Sequence, residues 1–210
     1  MNFRYLLSLL FLPSLLLMSG CTPGIQFNPT FQGDIFPTAA VQNGHVNLVT
    51  QVSGVDKATD YKEYESNLSQ ALTDAFKKHG ISVVEKKDPS EYRLQTKVDT
   101  LPEMDLWQAK QQLGKNLGIA SIPIAGTFIP RFYTISSGFT ISFDLFHVDQ
   151  LIHHENYEVN ESKEIRVSNT KQFVESRDAA VLLWEESRNS AIEKFFASLN
   201  KSFPPLQAMK

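Results

Sequence analysis

The chemically capable side chains of this chain fall into a few groups. His147 precedes His153-His154-Glu155 and Glu158, a spacing that could bring imidazole and carboxylate ligands together across a hairpin. Neighbouring residues of a strand point to opposite faces, so His153 and His154 cannot readily share one ion. At best His147 and one of that pair meet; the competing reading is an exposed polar hairpin face, and no metal site is expected. Asp99, Glu103 and Asp105 lie close in sequence and could form an acid/base pair. A solvated strand-to-helix junction is the favoured reading of them. His45 and His79 stand alone and read as surface residues. No serine sits in a Gly-x-Ser-x-Gly elbow, and Gly114-Lys115-Asn116 lacks the upstream glycine and the Ser/Thr of a phosphate loop. With one cysteine, Cys21, the chain can form neither an internal disulfide nor a cysteine-based metal site. No catalytic residue, metal or cofactor is therefore assigned, and the chain is expected not to be an enzyme.

Composition narrows the class further. A hydrophobic fraction of 42% with 15 Phe supplies a core, and a charged fraction of 20% is far from a disordered chain. The net charge is −3, and loss of Arg4 with a cleaved leader would take it to −4. Such a chain lacks the clustered Lys and Arg that phosphate contacts require, so no nucleic-acid partner is expected. The acceptor tripeptides Asn67-Leu68-Ser69, Asn160-Glu161-Ser162 and Asn200-Lys201-Ser202 fit N-glycosylation, a pattern frequent by chance.

The position of Cys21 gives it a role. Arg4 precedes the apolar run Leu6–Leu17, interrupted only by Ser8, Pro13 and Ser14. As a helix this run covers roughly 18 Å, short of the ~30 Å hydrocarbon core, so it reads as a secretory signal rather than a permanent span. After it comes Leu17-Met18-Ser19-Gly20-Cys21, which resembles the lipobox of bacterial lipoproteins, with Met18 where that family most often has Leu. The resemblance implies alkylation of the Cys21 thiol with diacylglycerol, cleavage between Gly20 and Cys21, and acylation of the new amine. Two or three chains on one residue make a stable membrane anchor, where a single chain does not. Thr22 resembles the group sorted to the outer membrane, so in a Gram-negative cell the domain is expected to face the periplasm from that membrane.

The elements that must carry any site follow from periodicity. Residues 21–40 hold Pro23, Gly24, Pro29, Gly33 and Pro37 and read as a tether of roughly 25 Å reach, although Phe27, Phe31 and Phe36 argue for packing on the domain. His45–Val52 alternates as a strand. A helix begins at Asp60, with Glu63 in a capping-box position, and ends at Gly80. Ile81–Glu85 and Tyr92–Val98 read as strands, and Asp105–Leu117 as a short helix. The stretch Ile119–Pro130 is apolar but broken by proline and glycine, which suits neither a long helix nor a central strand. Phe139–Val148 and a return strand towards Val167 form a long hairpin turning near Asp149-Gln150. A last helix spans Arg177–Leu199, with Val181, Trp184, Arg188, Ile192, Phe195 and Leu199 as its stripe. The order β-α-β-β-loop-β-β-α predicts an α+β fold, a mostly antiparallel sheet with two amphipathic helices on one face. Residues 1–20 are the expected signal, 21–40 the anchor and tether, 41–200 one domain and 201–210 a tail.

That order of elements, over about residues 41–200, is similar to small α+β accessory lipoproteins of the bacterial envelope, which assist transport or assembly by binding other proteins. The resemblance implies a non-catalytic accessory role with the membrane and an envelope protein as partners. The candidate contact surface is the loop bearing Ile119, Ile122, Ile124, Phe128 and Ile129, or a sheet edge. Two alternatives stand beside it. One is a carrier of lipid or another apolar ligand lined by Phe139, Phe143, Trp184 and Phe195. The other is a hydrolase using the Asp99–Asp105 carboxylates or the hairpin histidines.

Overall fold

The computed structural model describes Phe27, Asn28 and residues 30–33, 45–54, 61–84, 90–100, 109–111, 130–167 and 172–203. Its elements are β1 (His45–Ser53), α1 (Tyr61–Lys78), β2 (Ser82–Val84), β3 (Tyr92–Thr100), β4 (Ala109–Gln111), β5 (Arg131–His147), β6 (Gln150–Val167) and α2 (Gln172–Ser202). β1 lies between β2 and β3, parallel to both. β5 runs antiparallel to β3 and β4 on one side and to β6 on the other, so β6 forms an edge. The fold is α+β with a mostly antiparallel sheet, as the pattern of elements predicts.

Both helices cover one sheet face because the alternating apolar residues of each strand share it. Leu48, Leu94 and Leu145 are register partners across three strands, as are Val52, Val98 and Ile141. Against them pack Leu68, Ala71, Leu72, Ala75 and Phe76 of α1, and Trp184, Ala191, Ile192, Phe195, Phe196 and Leu199 of α2. Side chains spaced three and four apart on each helix form the matching stripe. α1 carries Glu63 in its first turn and Lys77 and Lys78 in its last, each complementing the helix dipole. It closes in a Schellman arrangement: the Ile81 N–H donates to the Phe76 carbonyl at 2.9 Å and the Gly80 N–H to that of Lys77 at 2.9 Å. Gly80 has φ of 76°, the left-handed conformation that this ending needs.

Three expectations are corrected. Ala109–Gln111 lie in a strand, not in the helix expected over Asp105–Leu117. The reason is tertiary: β5 begins at Arg131, eight residues before the expected start at Phe139, and its extra length pairs Tyr133–Ile135 with Gln111–Ala109. The last helix starts at Gln172 rather than Arg177. The hairpin turns at Val148-Asp149, both at positive φ (47° and 64°), one residue before the expected place. A register shift beside Leu145 and Phe146 leaves Ile152 without an opposite residue on β5, a bulge near the turn.

Candidate functional site

The most organised polar site joins the N-terminal strap, Phe27–Gly33, to both helices. Tyr64 and Asn67 share one face of α1, and Trp184, Glu185 and Arg188 lie within about one turn of α2. Arg188 and Trp184 are buried, with Arg188 0% exposed. The Asn67 Oδ1 accepts the Trp184 indole N–H at 3.1 Å and a hydrogen bond from the Arg188 guanidinium. The Asn67 amide donates to the Asn28 carbonyl at 3.2 Å. Arg188 Nη1 and Nη2 reach that same carbonyl at 3.3 and 3.4 Å, and Arg188 also donates to the Asn189 Oδ1 at 3.0 and 3.3 Å. The Asn28 N–H donates to Glu185. Every one of these buried groups thus has a partner, which is what makes a polar cluster tolerable in a core.

Further along, the strap is pinned again. The Phe31 N–H donates to Asp74 Oδ2 at 2.8 Å, and Lys78, itself paired with Asp74 at 3.4 Å, donates to the Phe31 carbonyl. The Phe31 ring is completely buried. Gly33 closes the path: a Cβ there would stand 2.4 Å from the Phe31 ring and 2.6 Å from the Glu193 side chain. Phe27 stacks edge-on to Tyr64 at 4.8 Å, Tyr64 to Trp184 at 5.3 Å, and Trp184 packs on Phe139 of β5 at 5.0 Å. A continuous run of rings therefore leads from the sheet to the strap.

Electrostatics fit a permanent clasp. Burial pushes the Arg188 guanidinium down to about 10, with Glu185 working against that shift, so Arg188 remains charged at neutral pH. Burial raises the Glu185 carboxyl, opposed by the Asn28 N–H and by Arg188. Cation and carboxyl stand one helical turn apart, and the strap backbone bridges them.

The hairpin histidines do not converge on one point. His153 faces the helices opposite Leu145, while His154 faces the other way and holds Asp144 at 2.6 Å. His147 pairs in register with Gln150 and packs on Tyr92 at 4.8 Å. No group of three His, Cys, Asp or Glu able to hold a metal occurs among the described residues. Asp99 is held low by the Lys97 ammonium at 2.7 Å and by the Ser53 hydroxyl, so it is an ionised ion-pair partner. Glu103 and Asp105 lie outside the described residues. So do Gly20, Cys21, Ile119, Ile122, Ile124, Phe128 and Ile129. Phe139, Phe143, Trp184 and Phe195 are fully buried and touch in pairs, Phe143 on Phe195 at 4.7 Å.

His79 is not the free surface residue expected. Its ring stacks on Phe196 at 4.0 Å, its Nδ1 lies 2.7 Å from the Ala75 carbonyl, and burial lowers its basicity. Asn67, the first glycosylation candidate, is 3% exposed and fully engaged in the clasp. Sequence reasoning placed Arg188 in the apolar stripe without seeing its purpose. The available signal was the charge itself: an Arg within a buried stripe, three residues after a Glu, requires polar partners from elsewhere in the chain.

No family model matches the chain, and no curated protein does. Among solved structures it is similar to a DUF330 protein of Xanthomonas campestris, at 11% identity over 82% of this chain and 92% of that one, TM-score 0.42. A homolog of neuraminyllactose-binding hemagglutinin from Helicobacter pylori is similar at 17% identity over 85% and 95%, TM-score 0.42. Rare lipoprotein B from Shewanella oneidensis is similar at 10% identity over 75% and 95%, TM-score 0.36. No described helix is long and apolar enough to cross a membrane.

Proposed function

We propose that this chain is a lipid-anchored protein of the bacterial envelope, acylated on Cys21 after cleavage behind Gly20, with a non-catalytic role in which the folded body binds another envelope protein. The observation that carries the reading is the clasp. Phe27 lies six residues beyond Cys21, and from there to Gly33 the strap is fixed to both helices. A lipid on Cys21 therefore holds the whole body close to a bilayer rather than on a long leash. Thr22 favours outer-membrane sorting in a Gram-negative cell.

The partner surface in this reading is an edge of the sheet, β6, or the apolar segment 119–130. β6 pairs with β5 along its inner side, and it is an edge strand of 18 residues. Such an edge offers main-chain donors and acceptors to an added strand. Radiolabelled palmitate fed to growing cells should enter the wild-type protein and not a Cys21→Ser variant, which should also leave the membrane fraction. Photocrosslinkers at exposed β6 positions, Glu158 and Ser162, should then capture a discrete protein. Unlabelled wild-type protein that fractionates as soluble would overturn the anchor, and β6 crosslinkers that yield nothing discrete would overturn the edge as the partner surface.

A further inference from the structure

We infer that the helix layer is the membrane-facing side of the body and that the opposite sheet face is turned away from the lipid. This rests on acylation of Cys21 and adds an orientation to it. The strap makes its hydrogen bonds to helix side chains: Asn67, Asp74 and Lys78 of α1, and Glu185 and Arg188 of α2. It runs the same way as both helices: along α1, Phe27 lies at the level of Tyr64 and Phe31 at that of Asp74 and Lys78, and along α2, Asn28 meets Glu185 while Gly33 stands beside Glu193. From Phe27, the first described residue, the chain thus runs over the helices.

From Cys21 to Phe27, six residues span at most about 20 Å when fully extended. Bringing the other sheet face to the lipid would take the tether around the body. That path includes a helix layer about 10 Å thick, roughly 10 Å of sheet half-width at two strand spacings, and a sheet layer of about 10 Å. About 30 Å is needed and about 20 Å is available, which keeps the opposite sheet face off the bilayer and leaves the helix side, where the strap enters, next to it. Leu182, one turn before the Glu185 that holds Asn28, is 54% exposed, a large apolar side chain beside the point of entry. The other face carries Asn156, Glu158, Asn160, Ser162, Glu164 and Arg166 from β6, all exposed. Leu151 lies on that face too, near the hairpin turn, and the helices expose Lys62, Lys77, Glu186 and Lys194, so the tether length and not the composition carries the orientation.

The test uses the full lipidated protein in vesicles of phosphatidylethanolamine and phosphatidylglycerol containing a nitroxide-headgroup phospholipid. Lipidation blocks Cys21, so Leu182→Cys and Asn160→Cys can each be labelled singly with a fluorophore. The Leu182→Cys label should be quenched severalfold more than the Asn160→Cys label. Inserting about twelve Gly/Ser residues after Gly24 lengthens the tether without touching the clasp and should close much of that gap. Equal quenching, or the reverse order, with Cys21 shown by mass spectrometry to be acylated, overturns the orientation and leaves the anchor standing. An unmodified Cys21 overturns the anchor and this inference together.

Discussion

Arg188 and Asn28 are 160 residues apart in the chain, yet both guanidinium Nη atoms of Arg188 converge on the Asn28 carbonyl at 3.3 and 3.4 Å. A main-chain oxygen near the start of the protein is thereby held by a fully buried charge near its end. The pairing turns a segment rich in proline and glycine into part of the folded body.

Truncating Arg188 should be costly. Arg188→Ala leaves the Asn28 carbonyl and the Asn67 Oδ1 each short of a donor and Glu185 without its cation, a loss of about 3 kcal/mol in urea unfolding. Arg188→Met keeps the volume and should cost less. Hydrogen exchange at the Asn28 and Phe31 amides should accelerate in both, more than at amides of β3. Unchanged exchange at Asn28 would show that the guanidinium does not hold the strap.

The strap should also fail from its far end. Gly33→Ala sets a methyl group against the Phe31 ring, an overpacking that costs about 1–3 kcal/mol. Phe31→Ala removes a fully buried ring and costs about 3 kcal/mol. Because the rings of Phe27, Tyr64 and Trp184 are linked, undocking should shift the Trp184 emission to the red in either variant. An emission spectrum identical to wild type would separate Phe31 from the clasp.

Stability should fall on mild acidification. Burial places His153 and His79 below the ordinary 6.5 of imidazole. Above 6.5 both are neutral in the folded and unfolded chain, and their contribution is complete. As the pH drops through the lower folded values, the unfolded chain takes up protons first and that contribution is lost. The thermal midpoint should therefore drop between about pH 7.5 and about pH 5, with a shallower fall in a His79→Phe, His153→Phe double variant. Glu185 acts in the opposite sense: its raised carboxyl favours the fold at low pH, and that gain is lost as pH rises through the raised value. A Glu185→Gln background should thus steepen the acid fall, and a double histidine variant as steep as wild type would remove the imidazoles from the account.

Relieving the hairpin turn should stabilise. Val148 holds φ of 47° with a β-branched side chain and is 73% exposed. The left-handed region costs such a residue about 1–2 kcal/mol, and asparagine tolerates it far better. Val148→Asn should raise stability by about 1 kcal/mol in urea unfolding, with the Arg93–Asp149 ion pair beside it kept. A neutral or negative change would mean that Val148 makes contacts worth more than its backbone strain.

Much of the architecture could be read along the chain. The alternation of Phe139, Ile141, Phe143 and Leu145 marks a strand, and the recurrence of Leu68, Leu72, Ala75 and Phe76 marks a helix, because side-chain direction repeats every two or 3.6 residues whatever lies opposite. Gly80 announced the end of α1 in the same local way. The candidate site was far less legible. Arg188 could be read only as one member of a helix stripe and Asn67 only as part of a chance acceptor tripeptide, and although Phe27 and Phe31 already argued for packing on the domain, none of these residues could be matched to its partner. Ala109–Gln111 looked helical because the part of β5 that recruits them, Tyr133–Ile135, lies before the strand start that the alternation from Phe139 marks.

Local periodicity, capping and the Leu17–Cys21 motif were available from residue order, because they depend on neighbours a few positions away. The meeting of Asn28 with Asn67, Glu185 and Arg188 was not, because it depends on how two helices lie side by side on a sheet and on the space left between them. A polar group in a core takes its meaning from what surrounds it, and those surroundings exist only once the chain has folded.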